Sequence, residues 1–209
     1  MCRGTSCLIV PRETRAVELF GERAEKALRY ADLLKNEGID RGLIGPSEAN
    51  RIWDRHIENC IPLTTLFTPS SSVLDVGSGA GLPGIVVALA RPDLKVTLLE
   101  PLKRRVEFLE EVLELLQLPL NVVHSKAERA KGHFDHVTAR AVAPLPRLVD
   151  ATWHLVGKGG SLLAMKGERA TLEIEALAEE KGRKSMDIEL KEIPWQESVS
   201  RIVIIRRIS

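Results

Sequence analysis

A chain of 209 residues with 44% hydrophobic and 28% charged content can bury a full α/β core, and its composition excludes a disordered or fibrous protein. Its formal charge of +1 means that no bulk field advertises nucleic acid, so any RNA or DNA partner must be held by a local basic patch. The three cysteines, Cys2, Cys7 and Cys60, form no CxxC pair and no zinc spacing with the histidines; they fit free thiols in a reducing cytosol, and no metal is expected. The first residues have too short an apolar run for a signal peptide, and no apolar stretch approaches the roughly twenty residues of a membrane span. The expectation is a cytoplasmic protein with no membrane association and no obligate protein partner.

Residues from about Thr14 to Lys35 place Val17, Phe20, Ala24, Ala27, Leu28, Ala31 and Leu34 at helical spacing, with a charged opposite face. Gly38 is read as the stop, and a second helix is expected from Ser47 through Trp53-Asp54-Arg55-His56-Ile57. Thr68-Pro69-Ser70-Ser71-Ser72 breaks the chain again. Residues 1–66 are therefore expected to form a helical extension before an α/β domain at 67–209.

The domain begins with Val73-Leu74-Asp75-Val76, a short buried strand ending in a carboxylate region, followed by Gly77-Ser78-Gly79-Ala80-Gly81 and a helix from Ile85 to Ala90. Glycines at alternate positions let backbone approach a ligand closely, and such a strand–turn–helix favours nucleotide-like molecules. Strand and helix then alternate: a strand at Lys95–Glu100, a helix at Lys103–Gln117 with Val106, Leu109, Val112, Leu113 and Leu116 inward, and strands at Asn121–His124 and Phe134–Ala139. A helix at Leu145–Leu155, a strand at Gly159–Lys166 and a helix at Thr171–Gly182 follow. The last strand-like runs, Asp187–Ile193 and Val199–Ile205, are joined by a turn containing Pro194 and Glu197. The alternation implies a mostly parallel, Rossmann-like sheet with helices on both faces, and the final pair implies an antiparallel edge.

The glycine run is not a dinucleotide fingerprint, because Leu82 stands where G-x-G-x-x-G needs its third glycine. Nor is it a P-loop, since no Gly-Lys-Ser/Thr follows. Asp-x-Gly-x-Gly-x-Gly resembles instead the first motif of class I S-adenosylmethionine-dependent methyltransferases. That resemblance makes S-adenosylmethionine the expected cofactor. It places Asp75, Gly77, Gly79, Gly81 and Leu82 at its amino acid part, Glu100 on the ribose hydroxyls, and Ser125 to Glu128 beside adenine.

A narrower resemblance rests on Leu74 to Gly84, with its Gly-Leu-Pro-Gly ending, together with Arg91-Pro92, Leu98-Leu99-Glu100, Lys103 to Leu109, Ala139-Arg140-Ala141, Ala164-Met165-Lys166-Gly167 and the upstream Trp53 to Ile57. These residues resemble the bacterial 16S rRNA guanine-N7 methyltransferase G family, also known as glucose-inhibited division protein B. The resemblance implies methylation of N7 of a guanine in the decoding-region loop of 16S rRNA, within a small ribosomal subunit or an assembly intermediate. It implies cofactor contacts from Gly77, Leu82, Ala127, Glu128 and Arg140, with Glu100 as the ribose acid. The chain departs from the family at Lys126, where an arginine is expected, and at Leu43-Ile44-Gly45, in place of Asn-Leu-Thr.

Guanine N7 carries a free lone pair, so its methylation needs positioning and electrostatics rather than a general base. In keeping with this, no Asn/Asp-Pro-Pro-aromatic motif follows the fourth strand, and every cysteine precedes the domain. Arg140 is the leading catalytic candidate, expected to orient the cofactor carboxylate or a phosphate. Lys166 is a second, for phosphate, against the reading of an ordinary solvated lysine. His56 and His124 are read as structural, Trp53 and Trp153 as core, and Lys103-Arg104-Arg105 and Arg206-Arg207 as solvated faces or phosphate contacts. A methyltransferase for another acceptor, and a non-catalytic ribosome-assembly or regulatory factor on the same fold, stay open as alternatives.

Overall fold

The computed structural model describes residues 10–180, 186–196 and 198–207; Cys2, Cys7, Glu197 and the end of the Thr171–Gly182 segment lie outside them. Among the described residues, seven strands form one sheet in the order β3-β2-β1-β4-β5-β7-β6. They are β1 Ser72–Val76, β2 Lys95–Glu100, β3 Asn121–His124, β4 Phe134–Arg140, β5 Val156–Lys166, β6 Asp187–Trp195 and β7 Ser198–Arg206. The first five run parallel, while β7 pairs antiparallel with both β5 and β6. The closing hairpin therefore does more than add an edge. Its second strand turns back and inserts between β5 and β6, leaving β6 outermost.

Both faces of the sheet are covered, which explains the near-continuous apolar runs of its central strands. In β5, Leu163 and Met165 join one apolar cluster and Leu162 and Ala164 the other; in β7, Ile202 and Ile204 oppose Val203 and Ile205 in the same way. The second cluster is completed by helices α6 (Leu145–Thr152) and α7 (Ala170–Glu179). The first is completed by α4 (Gly84–Ala90), α5 (Lys103–Leu116) and the amino-terminal helices α1 (Arg12–Phe20), α2 (Ala24–Leu33) and α3 (Ile61–Thr64). All five inward positions expected in α5 are buried, and Phe108 joins them. The helix stops where Gln117 takes a left-handed φ of 50°.

The amino-terminal region departs from a single long helix. Gly21, at φ 53°, breaks it, and a tight turn through Arg23 resets the helical phase. That reset turns Ala16 and Tyr30 into the core and leaves Val17 exposed. Nor does Gly38 stop the second segment. The helix widens through Leu34–Gly38 and ends at Gly42 (φ 65°), where the amide of Leu43 returns to the carbonyl of Gly38 at 2.8 Å. From Pro46 to Cys60 the expected second helix is instead a succession of tight and wide helical turns. Their anchor is the buried Glu58, which accepts from Trp53 Nε1 at 2.8 Å, Arg15 Nε at 3.3 Å and the Gln196 amide of the β6–β7 turn.

Candidate active site

The carboxyl ends of β1, β2, β3 and β4 lie side by side, as the register pairs Val76 with Leu99 and Ala139, and Glu100 with His124, require. The glycine turn leaves β1 at this edge. Gly77, Gly79 and Gly81 all take positive φ, at 67°, 59° and 100°. A Cβ on Gly81 would come within 2.4 Å of Ile85 Cδ1 and 2.7 Å of the Tyr30 hydroxyl, so this position is closed to any side chain. Beyond Gly79, by contrast, only Gly77 O and Arg105 Nη1 come within 4.0 Å of such a Cβ, and the turn there presents bare backbone.

Two buried carboxylates hold the turn from below. Glu100 is fully buried; its Oε2 accepts from Gly79 N at 2.9 Å and its Oε1 from Leu102 N at 2.9 Å, with Arg105 Nη1 3.8 Å away. Charge-assisted bonds to two amides offset much of the cost of burying this anion. Asp75, also fully buried, faces Gly84 N, from which its Oδ2 accepts at 3.0 Å, while its Oδ1 has no partner. Burial pushes its carboxyl up to about 7. Asp75 therefore sits under the start of α4 rather than on the open side of the turn. The close helix–strand approach that a third fingerprint glycine usually permits falls to Gly84, where a Cβ would meet Leu98 Cδ2 at 2.4 Å and Asp75 Oδ2 at 2.6 Å.

Around this cradle the rim is apolar and uncovered. Leu102, Val123 and Val142 follow or end β2, β3 and β4 with 45%, 39% and 43% of their surface exposed. Leu82 is half-buried against the first apolar cluster, Ala127 is half-buried and Glu128 exposed in the turn after β3. Bare turn backbone, a buried acid at the end of β2 and exposed apolar side chains beside it suit a ligand with a ribose and an aromatic base. S-Adenosylmethionine fits that set, with Gly77 to Leu82, Glu100, Ala127 and Glu128 as the residues that would hold it.

The far side of the edge is built differently. Arg140, ending β4, donates from Nη1 to His56 O at 3.2 Å and Cys60 Sγ at 3.3 Å, and from Nη2 to His56 Nδ1 at 2.7 Å. His56 Nε2 lies 3.0 Å from Glu48 Oε2, whose other oxygen accepts from Arg55 Nη1 at 3.1 Å. Lys166, ending β5, is not a solvated lysine: its side chain is 9% exposed, 2.8 Å from Glu173 Oε2 and donating to Ala143 O at 2.7 Å. Glu173 Oε2 also accepts from Leu145 N, so the pair pins the loop from Ala141 (φ 56°) into α6. A cleft of about 520 Å³ opens beside these groups, lined by Arg55, Asn59, Arg140, Lys166 and Arg201 among others.

Other polar and aromatic residues serve the fold. His136, which no motif marks, bridges Thr68 and Ser161. His124 is exposed and within 3.1 Å of Pro101 O. Trp53 is buried while Trp153 is half-buried, and Arg207 donates to the carbonyls of Trp153 and Val156. Arg206 pairs with Asp187 and Glu189 across the hairpin. Tyr30, the chain's single tyrosine, carries a role that its sequence neighbours do not signal: its hydroxyl donates to Ala80 O at 2.8 Å, bracing the glycine turn from the amino-terminal region.

A family model described as rRNA small subunit methyltransferase G matches residues 23–200. A protein named ribosomal RNA small subunit methyltransferase G from Thermobifida fusca is 52% identical over 183 residues, 86% of this chain and 77% of that protein. One of the same name from Acidothermus cellulolyticus is 53% identical over 159 residues, 76% of this chain and 72% of that protein. The chain belongs to the rRNA small subunit methyltransferase G family. Among solved structures, a methyltransferase from Pyrococcus furiosus superposes with a TM-score of 0.58 at 16% identity, covering 88% of this chain and 100% of that one. At that identity the likeness speaks for the fold alone, which is that of the class I methyltransferases. As a member of the G family the chain is a methyltransferase, and its turn, buried acid and cleft occupy the carboxyl edge where doubly wound folds gather their ligands.

Proposed function

We propose that the protein transfers the methyl group of S-adenosylmethionine to N7 of a guanine in the decoding-region loop of 16S rRNA, in the cytoplasm, on RNA presented within a small ribosomal subunit or an assembly intermediate. The observation that carries this reading is the glycine turn seated on a fully buried Glu100 beside a cleft rimmed by arginines, in a member of this family. The cofactor supplies an electrophilic methyl group. Glu100 accepts from the ribose hydroxyls with the lone pairs left beyond its two amide bonds, Gly77 to Leu82 hold the amino acid part, and Ala127 and Glu128 meet adenine.

Arg140 and Lys166 divide the remaining work. Arg140, at the end of β4, faces the cleft and orients the cofactor carboxylate. Lys166, neutralised by Glu173, shapes the loop over the acceptor and offers its remaining proton to a phosphate. N7 needs no deprotonation, so holding the base in line with the methyl group is the catalytic task. Among the described residues lining the cleft none is aromatic, which favours recognition by shape and phosphate contact over base stacking.

The test is direct. Small subunits from cells lacking the enzyme are incubated with the protein and labelled S-adenosylmethionine, and the modified base is mapped. Label on N7 of one guanine supports the reading. Cofactor binding without transfer to RNA makes the protein a binding scaffold, and label elsewhere names another acceptor.

A further inference from the structure

The bonds of Arg140 define a protonation state that the histidine in the Arg55-His56 pair must keep. A guanidinium has only protons to give, so the 2.7 Å contact between Arg140 Nη2 and His56 Nδ1 requires a lone pair on Nδ1. The ring proton then resides on Nε2, which faces Glu48 Oε2 at 3.0 Å and donates to it. Glu48 thus holds the ring in one tautomer and one orientation, as an outer partner does for any working imidazole. His56 is held at 14% side-chain exposure, in a region assembled only when the turns of residues 46–60 pack on the end of β4.

We propose that His56, in the Nε2–H tautomer set by Glu48, is the positioning residue that aims Arg140 at the cofactor side of the cleft. This rests on the reading of Arg140 as a cofactor-orienting group. Of the three bonds that Arg140 donates here, only the one to His56 Nδ1 ends on an atom that takes up a proton at mildly acidic pH. The charged and titratable groups facing His56 are Arg140 from β4, Glu48 from the turn at Pro46–Arg51 and its neighbour Arg55; Arg140 is faced besides by Cys60, by Asp75 from β1 and by Tyr30 from α2. Burial, and after it the Arg140 charge, hold His56 below its ordinary value near 6.5. The imidazole is therefore neutral and accepting at neutral pH. Protonating Nδ1 replaces an acceptor with a second cation at hydrogen-bond distance, and Arg140 must leave.

Arg55 extends the line outward. It is half-exposed on the cleft and shares Glu48 with His56, so the chain of contacts runs from the acceptor side, through Glu48 and His56, to Arg140. A purely structural role for His56, clamping the amino-terminal region, predicts lost thermal stability with unchanged catalysis. A positioning role predicts a change in cofactor use.

The experiment uses the full chain and small-subunit acceptor, with His56→Ala, His56→Asn and Arg140→Ala compared for kcat/KM, for the KM for S-adenosylmethionine, for cofactor affinity by calorimetry and for melting temperature. His56→Ala is expected to lower kcat/KM for the cofactor by about tenfold, the worth of one charge-assisted hydrogen bond, mostly through KM. His56→Asn, whose Oδ1 accepts from Arg140 without titrating, is expected to recover most of that loss. The pH profile is read as the difference between wild type and His56→Asn, in which the titration of Asp75, common to both, cancels. Activity with His56 falls on the acid side of the ordinary histidine value, because burial and the Arg140 charge lower its pKa, and with His56→Asn that limb is absent. Wild-type kcat/KM in His56→Ala while Arg140→Ala is impaired overturns the positioning role and leaves the reading of Arg140 intact. An unchanged acid limb in His56→Asn overturns it too, and needs no alanine variant to fold. Full activity in Arg140→Ala removes the premise itself.

Discussion

The two sides of the catalytic edge are held by different kinds of contact. On the cofactor side, the glycine turn and Glu100 satisfy one another through backbone amides within 21 residues of chain, and the acids beneath it are fully buried. On the side of the cleft, Arg140 reaches 84 residues back to His56, and Lys166 reaches 23 residues back to Ala143. The first is a compact local motif that tolerates almost no change in shape. The second is a set of side-chain bonds between segments far apart in the chain, adjustable one bond at a time. Under the proposed function, the rigid side suits a cofactor that is the same at every turnover, and the longer polar side chains of the cleft can adjust to an incoming RNA.

That contrast is most sharply broken at Gly81. Gly81→Ala forces a left-handed φ on a residue with a Cβ and drives that atom into Ile85 and the Tyr30 hydroxyl. Backbone strain and overpacking together should cost about 4 kcal/mol, read as a shifted urea midpoint. A loss below about 1 kcal/mol would show that the turn can relax and is not rigid. Glu100→Leu comes next: it strands the amides of Gly79 and Leu102, for about 3 kcal/mol of stability and loss of cofactor binding by calorimetry.

Across the edge, Lys166→Met leaves Glu173 with only its Leu145 amide. The pair is partly exposed, so a loss of about 2 kcal/mol is expected, less than for a fully buried pair. The same variant should lower methyl transfer more than cofactor affinity. Equal loss of both would erase the distinction between the two sides.

Asp75→Asn tests the cofactor side in the opposite direction. The folded-state value of about 7 lies above the unfolded 3.8, so the native state binds the extra proton between these values. The stability that Asp75 contributes is therefore fully present below about pH 4 and is lost as pH rises through 7. The asparagine variant should match the wild type near pH 4 and exceed it by about 2 kcal/mol or more at pH 8.5, in thermal melts across that range. A constant difference at all pH values would show that the fold does not raise the Asp75 carboxyl above its unfolded value. The smallest effect belongs to the exposed Arg41–Glu111 pair between the amino-terminal region and α5. Its removal should cost less than about 0.5 kcal/mol and vanish in high salt.

Legibility followed the same division. β2 and β3 lie where the alternation of residues places them, and α5, whose helical period and burial agree, ends within one residue of expectation. The glycine turn and Glu100 are readable because positive φ and a strand-end acid leave marks in short stretches of consecutive residues. The region from Pro46 to Cys60 reads as one helix, yet it folds as changing turns. Its geometry answers to Glu58, which must meet Arg15, Trp53 and Gln196 at once. Lys166 has the look of a phosphate ligand in sequence because nothing nearby predicts Glu173 as its partner.

By itself the sequence determined the order of strands and helices, the cradle of glycines and the family, because each is written in short-range residue patterns. Only the tertiary structure decided that β7 inserts between β5 and β6, that Asp75 lies beneath the turn with one unpartnered oxygen, and that Arg140 is gripped by His56 and Cys60. Those features depend on which distant polar groups must find partners once water has been excluded, and that demand exists only when the chain is packed.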